Sequence, residues 1–166
     1  MPDDLSDVAA FGVGLVYMVR GKKEIREFYE RWGASVLAFC RLFLGDEAQA
    51  QEATAQTFLV YLRGDSALRE DRLPLPLLRC AVDAVRDKCS PPASQEQNGQ
   101  NLKSTILLLP CEQRAVFILH TVLHLDEASV AVATGFSVET VRKLSFRSLM
   151  RIRELLPRDF FEERIR

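Results

Sequence analysis

Residues 109–156 read LPCEQRAVFILHTVLHLDEASVAVATGFSVETVRKLSFRSLMRIRELL, and this stretch decides how the rest of the chain is understood. Asp126 is placed to cap a short helix whose inward positions are Val130, Ala131 and Ala133, and Gly135 supplies a permissive turn that lets a second helix cross the first. Ser137 is the natural N-cap of that second helix. From there Val141, Leu144, Leu149, Ile152 and Leu156 recur at helical spacing, which predicts one buried face and leaves Arg142, Lys143, Arg147 and Arg151 largely elsewhere. Small buried residue, glycine turn, serine cap and basic helix, in that order, are the layout of a helix-turn-helix whose second helix can enter a major groove. A basic amphipathic helix taken alone is often only a solvated surface helix. The ordered combination carries the stronger reading.

Working outward, 166 residues with 48% hydrophobic content suffice for one ordinary domain or two small helical ones, and sparse glycine and proline with few β-branched runs predict an all-α protein. The net charge of -1 gives no global attraction to nucleic acid. Any DNA contact has to come from a local cluster, and residues 137–153 supply one: Arg142, Lys143, Arg147, Arg151 and Arg153 against the single Glu139.

Upstream, residues 24–44 predict a long helix on the apolar stripe Ile25, Phe28, Tyr29, Trp32, Val36, Phe39, Cys40 and Phe43, ended by Gly45-Asp46. A second helix over residues 46–63 turns Ala50, Ala53, Thr57, Phe58 and Leu62 inward and Gln49, Gln51, Glu52 and Gln56 outward. After the Gly64-Asp65 break, Pro74 and Pro76 introduce a third helix over about residues 77–89, carrying Arg79, Asp83, Arg86, Asp87 and Lys88. Residues 90–101, SPPASQEQNGQN, have almost nothing to bury and read as a flexible linker. The expected organisation is therefore two small helical domains: residues 1–89, with an extra N-terminal segment 1–23, and a helix-turn-helix domain over 102–166. The apolar run from Val8 to Val19 follows acidic residues and is too short to span a bilayer, so it reads as a helix or docking segment on the first domain, with a membrane or partner role as the alternative; no membrane is expected among the partners.

Cys40, Cys80, Cys89 and Cys111 have no CxxC spacing and fall in apolar or helical stretches, which predicts reduced cysteines in a cytoplasmic protein. Packing accounts for most of them, with a regulatory thiol as the sharper alternative. His120 and His124 stand four apart without an evident third ligand, so surface or interdomain histidines are favoured over a metal site, and no metal or other cofactor is expected. No nucleophile elbow, phosphate-cradling loop or paired catalytic carboxylate is present in the sequence, and an enzyme is not expected. Phe160 and Phe161 in the tail PRDFFEERIR read as a packed terminal turn, with a short motif for a partner as the alternative.

The stretches FYERWGASVLAFCRLFLGDEAQAQEATAQTFLVYLR, LPCEQRAVFIL and GFSVETVRK, in this order, resemble the extracytoplasmic-function sigma factors, small bacterial initiation factors with two helical domains on a short linker. The resemblance covers nearly everything from Glu24 to Leu156. It implies that Gln49, Gln51, Glu52 and Gln56 face core RNA polymerase, although three of the four are neutral where the family usually shows carboxylates. It implies that Arg79, Asp83, Arg86 and Lys88 stand on the helix that reads and melts the minus-ten promoter element. There Pro76-Leu77 replaces the usual Trp-Leu, and Val82 occupies a position that is often basic. Ser137 then caps the helix that lies in promoter DNA at the minus-thirty-five element, with Thr140, Arg142, Lys143 and Arg147 in its contact region. An anti-sigma factor is the implied negative regulator. The alternative is a sigma-like adaptor or decoy that binds an anti-sigma factor or another protein without initiating transcription.

Overall fold

The structure, a computed structural model, describes residues 21–64, 72–89 and 101–156. The expectations for the apolar N-terminal run, for most of the linker and for the Phe160-Phe161 tail lie outside these residues. The fold is all-α. In chain order it comprises α1 (Lys22–Leu44), α2 (Glu47–Arg63), α3 (Leu75–Arg86), α4 (Leu102–Leu107), α5 (Cys111–Phe117) continuing into a π-helical turn (Ile118–Val122), α6 (Glu127–Thr134) and α7 (Val138–Leu155). Among the described residues, no helix is long and apolar enough to cross a membrane.

Each boundary has a local cause. α1 stops at Gly45, whose φ of 73° is left-handed and whose N–H is bonded to the Arg41 carbonyl. A Cβ there would lie 2.5 Å from Leu107 Cδ1, so this corner accommodates glycine both for its backbone and for the close approach of α4. Asp46 then caps α2 by accepting from the Gln49 N–H at 2.8 Å. Pro74 is the N-cap of α3 and Pro76 sits in its first turn, where a missing N–H costs nothing. Asn101 and Ser104 form a reciprocal capping box that starts α4.

α1, α2 and α3 pack on Phe28, Val36, Phe39, Phe43, Ala50, Ala53, Phe58, Leu77, Leu78, Ala81, Val82 and Val85. The complete burial of Val82 explains why no basic residue stands there: the position faces the core. Tyr29 departs from the expected apolar stripe. It is 50% exposed, lying over Gly33 with its ring edge toward Phe58 of α2, centroids 4.9 Å apart.

The helices on both sides of residues 90–101 share one continuous apolar cluster, which runs on through Ile106, Leu109, Val116, Ile118, Leu119, Val130, Ala133, Val141 and Ile152. Arg114, only 4% exposed, pins the junction. Its guanidinium donates to the carbonyls of Phe43 (2.7 Å), Leu107 (2.6 Å) and Leu109 (3.0 Å) and lies over the Phe43 ring at 5.3 Å. One of those carbonyls belongs to the last turn of α1, which has no helical donor left to satisfy it.

The expectation of four reduced cysteines is corrected: Cys89 and Cys111 form a disulfide. Nothing local brings them together. The fold sets the end of α3 beside the start of α5, with the two Cα atoms 6.3 Å apart, inside the range a disulfide can bridge. Cys40 and Cys80 remain thiols.

Candidate nucleic-acid interface

The helix-turn-helix is built by three local devices. Asp126 accepts from the Ser129 N–H at 2.7 Å and caps α6, and that bond holds its carboxyl below the usual carboxylate range. Gly135 ends α6 with φ 75°, its N–H on the Ala131 carbonyl, so the chain reverses without Cβ strain. Ser137 then accepts from the Thr140 N–H at 3.1 Å and starts α7.

The buried face of α7 is Val141, Leu144, Ser145, Ser148, Ile152 and Leu155. Leu149, expected inward, is 47% exposed. The true stripe steps by three and four through two small serines, while Leu149 sits about 80° round the helix from Val141 at 100° per residue. Ser148 is wholly buried and donates to the Ser145 carbonyl at 2.8 Å, which satisfies it without a distant partner. These small side chains belong to the buried face of α7, and α5 is the helix that packs most extensively on α7. Phe146, Leu149 and Met150 consequently stand out to solvent.

Arg142, Lys143 and Arg147 are exposed along α7 beyond its N-cap, and Thr140 is half-buried beside Ser137. Their electrostatic situations differ. Arg142 grips Glu127 of α6 with two bonds, Nε to Oε1 at 3.1 Å and Nη2 to Oε2 at 2.7 Å. These hold the Glu127 carboxyl low and raise the guanidinium. Lys143 pairs with Glu139 one turn back at 2.6 Å. Arg147 has no ion pair with any described residue, which leaves it available to a phosphate or a base edge, as it does Arg153 farther along α7. Arg151 pairs with Glu154 at 3.3 Å. Glu127 was not singled out from sequence. Its place in the first turn of α6 reads as ordinary helix-start chemistry, and only the crossing of the two helices brings Arg142 to it.

Of the minus-ten candidates, Arg79, Asp83 and Arg86 are gathered on one side of α3 and Lys88 lies beyond its end, and each is held by the protein itself. Arg79 bonds Asp83 at 3.3 Å and reaches the Val132 carbonyl at 3.4 Å. Arg86 bonds the Thr134 carbonyl at 3.0 Å, lies over the Phe136 ring at 5.0 Å, and has Asp83 at 3.6 Å. Lys88 lies in the turn past the end of α3, not on the helix as expected, because the last helical residue is Arg86. Its ammonium meets Glu52 of α2 at 2.9 Å.

The polymerase-facing candidates Gln49, Gln51, Glu52 and Gln56 are all exposed on α2. Gln49, Glu52 and Gln56 follow one another at three- and four-residue steps and share a stripe. Gln51 points about 100° away from Glu52 and bonds Glu47 at 2.8 Å. His120 and His124 are not paired: His120 Nδ1 is 2.8 Å from the Leu125 carbonyl, and His124 takes a left-handed φ of 55° in the turn between the π-helical segment and α6.

Residues 99–152 match the protein-family model described as Sigma-70, region 4. The match starts just before the Asn101 cap, takes in the whole helix-turn-helix and stops at Ile152, covering about a third of the chain. No curated protein matches the chain.

Proposed function

We propose that this protein is a bacterial transcription initiation factor of the sigma type, in which α7 reads promoter DNA and the first three helices dock on core RNA polymerase. The observation that carries the proposal is the α6–Gly135–α7 geometry, with an exposed basic face, inside the stretch similar to Sigma-70 region 4. Ser137 and Thr140 fix the start of the reading helix, while Arg142, Lys143 and Arg147 face the DNA. The polar stripe Gln49, Glu52 and Gln56 is the polymerase-facing surface, acting through hydrogen bonds more than charge. The reading places the protein in the cytoplasm, among the extracytoplasmic-function type, under an anti-sigma factor. It calls for neither a catalytic centre nor a cofactor.

A second reading, a sigma-like adaptor that binds a protein partner without initiating transcription, is favoured by the internal engagement of Arg79, Asp83, Arg86 and Lys88. Incubating the full chain with core RNA polymerase and promoter fragments separates the two. A stable complex that opens the DNA supports the initiation factor. A protein that binds neither polymerase nor promoter DNA at low salt, in both oxidised and reduced forms, ends that reading.

A further inference from the structure

We propose that the Cys89–Cys111 disulfide is a thiol-operated lock that holds the polar face of α3 against α6, keeping Arg79 and Arg86 from external anions until a dithiol reductant opens it. The inference rests on the reading of α3 as a strand-binding helix for its consequence, but the lock itself does not.

The argument starts from what the two arginines do. Helix α6 ends at Thr134, and its last carbonyls have no helical donor. Arg79 and Arg86 donate to two of them, on Val132 and Thr134, so α3 supplies the C-terminal cap of the first helix of the helix-turn-helix. The guanidinium of Arg86 also covers Phe136 in the turn. A Cβ on Gly135 would lie 2.5 Å from Arg79 Nη1, which shows how closely the arginine is laid on the turn. The side chains of Arg79 and Arg86 nevertheless keep 45% and 30% exposure. These contacts are partly solvated and polar, the kind that a phosphate backbone can replace.

The disulfide lies just past the C-terminal end of α3. Cys89 follows the end of α3 and Cys111 is the first residue of α5, 22 positions later. With the bond closed, the end of α3 is tied directly to the half of the molecule that carries α6. With it open, Cys89 and Cys111 are joined only along the 22 residues of chain between them, a longer tether than one S–S bond, and the effective concentration of α3 against α6 falls. Both cysteines are half-buried and so within reach of a small dithiol. Of the other two thiols, Cys40 is wholly buried and out of reach, and burial pushes it up to about 11; Cys80 is half-buried, with burial and the nearby Asp83 raising its thiol, and the double variant, which keeps Cys80, separates its contribution.

The step balances with a dithiol as reductant. One of its thiolates attacks Sγ of Cys89 or Cys111, the S–S bond breaks, and a mixed disulfide forms. Its second thiolate displaces the cysteine and closes a cyclic disulfide. Two electrons and two protons pass to the protein, leaving both cysteines as thiols. In a reducing compartment the open form is the resting one, and oxidation by a disulfide of the same class closes it.

Hydrogen–deuterium exchange on the full chain, oxidised and then reduced with dithiothreitol, tests the lock. Amides of residues 75–86 and 126–136 are expected to exchange roughly tenfold faster after reduction, with α1 and α2 unchanged. The Cys89→Ser, Cys111→Ser double variant should exchange like the reduced protein without reductant. Unchanged exchange at α3 and α6 overturns the lock. Acceleration throughout α1 and α2 overturns it equally, since the disulfide would then be a general staple. A fluorescent single-stranded oligonucleotide supplies the second arm. Tighter binding by the reduced form supports the lock as a gate on α3. Equal binding by both forms, with exchange opened, counts against the strand-binding reading and leaves the lock standing.

Discussion

Arg142 and Glu127 face each other across the helix-turn-helix, joined by two bonds of 3.1 and 2.7 Å, so the first reading-helix arginine is held by the helix that precedes it. The crossing of α6 and α7 brings the pair together, and on the proposed function it occupies a cation that DNA would otherwise take. Replacing Glu127 with Gln keeps the shape and removes the charge. DNA affinity at low salt should rise, and the slope of log K against log salt should steepen by up to about one as Arg142 takes a phosphate. Fluorescence anisotropy across a salt series measures both. An unchanged slope would mean that Arg142 does not reach DNA.

Arg147 stands without an ion pair among the described residues, so its loss breaks none there. Arg147→Ala should weaken DNA binding and flatten the salt slope by about one, with the thermal midpoint unchanged. Lys143→Ala should cost less, because Lys143 is shared with Glu139. The opposite order of the two variants would place the contact region nearer the start of α7.

Arg114 is structural. Its removal leaves the Phe43, Leu107 and Leu109 carbonyls without their donor in a buried junction. Arg114→Met, which keeps much of the volume, should destabilise the fold by roughly 3 kcal/mol, read as a lower urea midpoint at constant slope. A loss under about 0.5 kcal/mol, the range of ordinary surface substitutions, would show that water takes over those carbonyls.

Glu47 gives the fold an acid limb. Its hydrogen bonds to Arg41, and secondarily to Gln51, hold the carboxyl at about 2 against an ordinary value of 4.5. A depressed folded-state value means that the contribution is fully present above 4.5 and is lost as pH falls toward 2. The stability advantage of the native chain over Glu47→Gln should therefore be flat at higher pH and shrink through that window. Chemical denaturation at a series of pH values tests it. An advantage independent of pH would remove the ion pair as its cause.

Much of the helix-turn-helix is legible in sequence, because its controlling interactions span three or four residues. Asp126 to Ser129, Gly135 to Ala131 and Ser137 to Thr140 are each set by neighbours along the chain. The same locality makes the Gly45-Asp46 corner and the inward set of α2 readable. Leu149 and Tyr29 mark where that reasoning stops. An apolar residue on the margin of a stripe is buried only if another helix covers it, and at these two positions none covers it fully. Ser145 and Ser148 are the converse, small polar residues buried because the approach of another helix leaves room for little else.

By itself the sequence determined the all-α class, the caps, the glycine turn and the start of the basic second helix of the helix-turn-helix, since each follows from propensity and short-range hydrogen bonding. Tertiary structure alone decided that Cys89 meets Cys111, that Arg142 is held by Glu127, that Arg114 pins the junction, and that Arg79 and Arg86 cap α6. Those contacts join positions from 5 to 71 residues apart. The longer ones are set by how apolar faces stack, a choice that no local pattern encodes.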